Sequence, residues 1–166
     1  MIITFGEYRG RSVEWLVLKR PDYVKWILDQ PTPTWPLAGV KSEVLRLIPI
    51  FDAKPILKTC SEHYTLPLSG FTTWKGNPHN LCAVCDLCDP SQQGPVPEEL
   101  KVIRTYKDAL DFIRSGDARR CDYRLAINTI ARAKGFPERS SPARIRKFFG
   151  EDVEPDAGEA VSQLIR

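Results

Sequence analysis

Between residues 60 and 88 lie six side chains of the types that hold metal ions: Cys60, His63, His79, Cys82, Cys85 and Cys88. Cys60-Ser-Glu-His63 is a C-x2-H pair, and Cys82-Ala-Val-Cys85-Asp-Leu-Cys88 contains two overlapping C-x2-C pairs. Two residues between ligands let a tight turn aim both side chains at one ion, and two such pairs complete the tetrahedron of a structural zinc site. The predicted ligand set is Cys60, His63, Cys82 and Cys85, with Cys88 as the main rival for the last position and His79 as a further alternate. Both histidines of the chain fall in this stretch. The expected cofactor is one Zn2+.

Other chemistries compete for the same residues. Cysteines can be buried without a metal, although a C-x2-C-x2-C run seldom lacks a ligand role. Cys82, Cys85 and Cys88 with a remote Cys60 also match the ligand pattern of an iron–sulfur cluster. A catalytic zinc would keep an open position and need a general base, and the nearby acids are Glu62, Asp86 and Asp89. The fifth cysteine, Cys121, stands between basic residues at a helix start and reads as a small buried hydrophobe.

The cysteine usage also bears on compartment. An odd count of five cysteines, four of them within 29 residues, is unlike a secreted disulfide framework and favours reduced thiols. The opening Met1–Glu7 lacks the basic region and apolar stretch of a signal peptide, and no apolar run approaches the roughly 18–20 residues that span a membrane. An intracellular protein, in cytoplasm or nucleus, is expected.

The elements that must position the cluster follow from pattern. At 166 residues, 42% hydrophobic and 27% charged, the chain has the make-up of one globular domain or two small ones. Residues 1–50 open with an apolar strand at Ile2–Phe5 and a turn bracketed by Gly6 and Gly10. Pro21 and Asp22 then start a helix with Tyr23, Trp26 and Ile27 on one face. Three prolines within 31–36 end it, and a short helix is predicted at Lys41–Leu47. Residues 51–96 are rich in Gly, Pro and Asn and have little core of their own, so a metal would substitute for one. Residues 97–150 read as helical. The first helix is predicted from Pro97 with Leu100, Ile103, Ala109, Leu110 and Ile113 as its stripe. The second runs 122–134 with Leu125, Ile127, Ile130 and Ala131 inward and Gly135 as its stop, and a short third runs from Ser141 through Phe149. Residues 151–166 form an acidic tail. The fold class expected is α+β: a small β-hairpin and helices, a zinc-stapled irregular segment, and a helical C-terminal part.

Charge is unevenly placed. Residues 101–150 carry 13 Lys/Arg against 5 Asp/Glu, a balance of +8, whereas the tail carries 1 against 5. Arg120, Arg124 and Arg132 fall on one helix face, and Arg144 and Lys147 are at i, i+3. Such a stripe suits phosphates, with salt-dependent and mostly sequence-independent affinity. It also suits an acidic protein partner, or is simply a solvated face.

Phe5-Gly6-x-Tyr8-Arg9-Gly10, an apolar helix, and Pro21-x-Tyr23-x-x-Trp26 together resemble a module found at the C-terminus of exodeoxyribonuclease X-like proteins. The likeness covers residues 3–28. It implies association with DNA processing, and with it a nucleic-acid edge formed by Tyr8, Arg9 and Arg11. In such a module Tyr8 would tuck inward, Arg9 and Arg11 would point out, and Trp15, Tyr23 and Trp26 would pack over the turn as core. The exonuclease itself is not implied, because the acidic residues of two-metal chemistry are missing. Separately, His79-Asn80-Leu81-Cys82-x2-Cys85 resembles the asparagine and cysteine knuckle of HNH endonucleases. Those need a catalytic histidine before the knuckle, and the only earlier one here is His63. The function favoured is therefore a zinc-containing nucleic-acid-binding accessory or targeting module without catalysis, with DNA preferred to RNA. The alternatives are a protein–protein adaptor with a purely structural zinc and an HNH-like, metal-dependent nuclease.

Overall fold

The computed structural model describes residues 1–60, 62–74, 81–92, 94–95, 97, 100–113, 120–137 and 140–150. At Trp74, Lys101, Phe112, Ile113, Arg120 and Cys121 it describes the backbone alone. His79 and the acidic tail lie outside the described residues, and so does the surrounding of the Cys121 thiol.

The molecule is α+β, but its strands are not where the apolar start of the chain pointed. Residues 2–12 close on themselves through a single bridge, Ile2 to Ser12, with Ile3 N–H donating to Arg11 O at 2.9 Å and Gly10 N–H to Ile3 O at 2.8 Å. Gly6 and Gly10, at φ 66° and 84°, make this reversal possible. Ser12 then caps α1 (Val13–Lys19), its Oγ accepting the Trp15 N–H at 3.2 Å. The helix α2 (Pro21–Asp29) begins at its proline as expected.

The helix predicted at 41–47 is longer. It is α3 (Leu37–Ala53), and Pro49 sits inside it. Val40, Val44, Leu47 and Phe51 are all buried along one face, and that continuous burial carries the helix through the proline.

The sheet comes from the middle of the chain. Strands β1 (Gly70–Trp74), β2 (Cys82–Val84) and β3 (Leu100–Ile103) pair antiparallel in the order β2-β1-β3, with Phe71 opposite Ile103 and Thr72 opposite both Val102 and Cys82. Residues 100–103, expected inside a helix that starts at Pro97, are thus an edge strand. The helix α4 (Tyr106–Ile113) starts after them at a reciprocal cap. Thr105 N–H donates to the Asp108 carboxylate at 2.9 Å, and Asp108 N–H donates to Thr105 Oγ1 at 3.1 Å. A cap of this kind is worth about 1 kcal/mol and fixes where the helix starts.

The helix α5 (Arg120–Ala133) ends in a Schellman turn. Phe136 N–H reaches Ala131 O at 2.9 Å, Gly135 N–H reaches Arg132 O at 3.1 Å, and Gly135 takes φ 88°. Its buried face is Ala126, Ile127, Ile130, Ala131 and Ala133, and Leu125, expected inward, is 37% exposed. Ser141 caps the last helix, α6 (Pro142–Phe148).

One core runs through these parts. α1 is its centre, touching α2, α3, α5 and α6, and Val13, Leu16, Val17 and Leu18 are fully buried. Residues from Ile3 to Phe51 and from Ile103 to Phe149 share this core with Phe71, so the first and last segments of the sequence pack as one body. Tyr106 ties them together: its hydroxyl donates to Val17 O at 2.8 Å, its N–H donates to the Asp52 carboxylate at 2.7 Å, and its ring meets Phe51 edge-on. No described helix is long and apolar enough to cross a membrane.

Candidate metal centre

Two small turns make the site. In the first, Cys60 N–H donates to Leu66 O at 3.0 Å and Leu66 N–H to His63 O at 2.8 Å, beneath a bridge from Thr59 to Pro67. This folds Cys60 and His63 toward each other. In the second, the chain leaves β2 at Val84 and turns at once, Cys88 N–H donating to Cys85 O at 3.0 Å. Pairing of β2 with β1, extended by Ser69 N–H to Val84 O at 2.9 Å, sets the second turn against the first.

The two turns bring Cys60, His63, Cys85 and Cys88 together, with their ligand atoms all within 4.8 Å of one another. His63 Nδ1 stands 3.1 Å from Cys88 Sγ, 3.5 Å from Cys85 Sγ and 3.9 Å from Cys60 Sγ, and the Cys60 and Cys88 sulfurs are 3.6 Å apart. Among the described residues this is the cluster able to hold a metal ion. Cys60 and Cys85 are buried and join Leu68 in a small apolar cluster, whereas His63 is at the surface.

Cys82, favoured from the sequence, lies outside the cluster. It is exposed on β2, opposite Thr72. A strand rises about 3.3 Å per residue, so three residues of extended chain carry Cys82 about 10 Å from Cys85, while the same number in a turn bring Cys88 back to it. The pair that closes the site is therefore Cys85–Cys88.

The electrostatics of the cluster call for a cation. Backbone N–H groups of His63 and Glu62 point at the Cys60 sulfur and, against the effect of burial, bring its pKa down to about 6. Burial and the adjacent Cys60 and Cys85 sulfurs push Cys88 up to about 12. One thiolate forms readily here, and gathering more beside it requires a positive charge among them.

A buried carboxylate braces the second turn. Asp89 Oδ1 accepts from Ser91 N–H at 2.9 Å and Ser91 Oγ at 2.6 Å, and its other oxygen pairs with Arg104 just past β3. Burial raises the Asp89 carboxyl, but Ser91 and Arg104 outweigh it and hold the group below the usual carboxylate value. Neither Asp89 nor Arg104 carried a sequence signal for this role.

Comparison with family models, curated proteins and solved structures gives no match.

The basic residues divide into two groups. Arg20, Arg46 and Arg104 are paired with carboxylates, and Lys134 is buried with its Nζ donating to Asp52 O at 2.9 Å and Lys54 O at 2.6 Å. Arg9, Arg11, Arg124, Arg144 and Lys147 are exposed, as is Arg132, and Arg120 is described by its backbone position on α5. Among the described residues Arg9, Arg11, Arg124 and Lys147 have no carboxylate partner. Arg146, in the same basic run as Arg144 and Lys147, belongs with them, and so does Lys19, which carried no sequence signal for this role. Burial, followed by repulsion from Arg124 and Arg132, lowers the pKa of Lys19, which places the end of α1 beside the α5 stripe. In the N-terminal turn Tyr8 is buried and Arg9 and Arg11 face solvent, while Trp26 stacks on Tyr23 with 45% of its surface exposed instead of entering the core.

Proposed function

We propose that this protein is a zinc-stapled, nucleic-acid-binding accessory or targeting module of an intracellular compartment, cytoplasm or nucleus, without catalysis of its own. Zinc fits the donor set and its spacing. Thiolates at about 2.3 Å and an imidazole at about 2.1 Å around a tetrahedral ion stand about 3.8 Å apart sulfur to sulfur and about 3.6 Å apart sulfur to nitrogen. Four of the six separations, at 3.1–3.9 Å, bracket those values, and all six lie within 4.8 Å. An iron–sulfur cluster sets several atoms between its thiolates and needs them further apart. Four protein donors leave no position for a reactive water, which supports an architectural ion over a nuclease or other catalytic metal.

The observation that carries the nucleic-acid reading is the unneutralised charge beside α1. Lys19 and Arg124, crowded by Arg132, have no carboxylate partner among the described residues, whereas Arg20, Lys25 and Arg46 do. Phosphates would relieve that repulsion. The likeness of residues 3–28 to a module of DNA-processing enzymes makes DNA the preferred partner. The test is fluorescence anisotropy with labelled DNA across a salt series. Binding is expected to weaken linearly in log salt, and Lys19→Gln with Arg124→Gln to reduce the slope by about 2. Absent or salt-indifferent binding would overturn the reading.

A second reading rests on the metal turns themselves. Tyr64 is 79% and Leu87 60% exposed, each next to a ligand. These apolar groups on a rigid metal-braced surface suit a protein–protein adaptor, for which such a partner would bind regardless of salt.

A further inference from the structure

The N-terminal turn and α6, nearly the whole chain apart in sequence, meet at a cleft of about 190 Å³. Its walls are apolar, formed by Trp15, Ile2 and Pro142, and Arg11 and Arg146 stand over it. Trp15 is half-buried against the core and so fixed in place, and the Arg11 guanidinium lies 5.1 Å from the centre of its ring. Ser12 accepts the Trp15 N–H and keeps its own hydroxyl hydrogen to donate. Among the described residues neither Arg11 nor Arg146 is paired with a carboxylate.

We propose that this cleft receives one unstacked nucleobase of a single-stranded nucleic acid, layered on the Arg11–Trp15 pair, with Arg146 holding a flanking phosphate. The proposal rests on the nucleic-acid reading above and narrows it to strands whose bases are free. Three features select that ligand. The Arg11 guanidinium, layered on the Trp15 indole, presents a planar cationic surface on which a base stacks. The volume is below the roughly 300–1,000 Å³ of pockets for drug-sized ligands and suits one planar ring system. Arg146, in the lining and without a carboxylate partner among the described residues, suits the phosphate next to that base. Bases inside a duplex are stacked and cannot enter such a cleft, so it discriminates by strandedness and not by sequence. The helix α1 places Trp15 of the cleft four residues, about 6 Å along its axis, from Lys19, so a strand leaving the cleft can continue onto the α5 stripe.

The experiment compares a short mixed-sequence oligodeoxynucleotide with the duplex of the same sequence, using the full chain. The single strand is expected to bind tighter. Arg11→Ala, an exposed change that leaves the core untouched, should weaken single-strand binding about 5- to 100-fold, within the range of one stacked base, and leave duplex binding changed far less. Arg146→Glu should act in the same direction. A strand carrying 5-bromouracil should photo-crosslink to the peptide that contains Trp15, a readout independent of any substitution. Equal affinity for the two forms with no crosslink at Trp15, while Lys19→Gln and Arg124→Gln still weaken binding, would overturn the cleft proposal and leave the broader reading standing. Failure of both forms to bind would overturn both.

Discussion

Cys82 and Cys88 lie equally far from Cys85, three residues to either side, yet Cys88 alone comes within reach of His63. The difference is backbone conformation. Residues 82–84 are held extended by pairing with β1, and residues 86–88 are a turn closed by Cys88 N–H to Cys85 O. Spacing alone offers the C-x2-C pattern twice and cannot distinguish a strand from a turn. The pairing partner that makes the distinction, Gly70–Thr72, is contributed by residues ten or more positions away. Cys88→Ser is therefore expected to drop metal content well below one ion per chain after gel filtration, measured by plasma mass spectrometry, and Cys82→Ser to leave it at one. Equal losses in the two variants would put Cys82 back among the ligands.

At the level of elements, three helix ends converge near Asp52. The Asp52 carboxylate accepts the first N–H of α4 from Tyr106, and Lys134, at the end of α5, donates to the carbonyls of Asp52 and Lys54 where α3 stops. Burial raises the pKa of Asp52, with the Tyr106 N–H and Lys134 opposing it. The folded protein therefore holds this proton at a pH where the unfolded chain, with an aspartate pKa of about 3.9, has lost it. Stability from this site is greatest below the unfolded value and falls as pH rises through the folded one. Asp52→Asn keeps an oxygen for Tyr106 and removes the charge. Its Tm relative to the native protein should rise across that window and level off above it. A deficit in Tm that grows with pH would mean that the carboxylate's attraction to the α4 N-terminus and Lys134 outweighs its burial.

The helix boundaries here were legible because their signals are local: Pro21, Gly135 and Ser141-Pro142 each satisfy or end a helix within one turn. β3 was not. Leu100-Lys-Val-Ile has apolar spacing that suits a helix as well as a strand, and its pairing with β1 is long-range. The Thr105–Asp108 cap two residues later was the available sign that the helix starts after it. The basic cleft was legible only in part, since Arg11 stood out beside the N-terminal motif while Arg146 joins it only through tertiary packing.

Across the whole molecule the metal site and the main core are distinct clusters, bridged by Ile56 and Ala83, which pack against both. Structural zinc sites in small finger peptides contribute about 10–16 kcal/mol, as much as or more than the roughly 5–15 kcal/mol total stability of an ordinary domain. If the whole fold depended on the ion, stripping it would unfold everything. Here the helices α1, α3, α5 and α6 bury their apolar faces against one another, and β1 and β3 contribute Phe71 and Ile103 to that same core. Among the described residues the turns at Cys60–Leu66 and Cys85–Cys88 bury little: Leu68 and the sulfurs of Cys60 and Cys85, with Leu66, Ile56 and Ala83 partly covered against them. Removal of the metal with a chelator is therefore expected to open residues 58–68 and 82–89 locally. Amide exchange at Cys60, Leu66 and Cys88 should accelerate, while the helical circular dichroism signal and protection within α1 and α5 persist. Collapse of the helical signal together with metal release would mean that the small cluster holds the large one in place, and that Ile56 and Ala83 transmit the ion's binding energy to the entire chain.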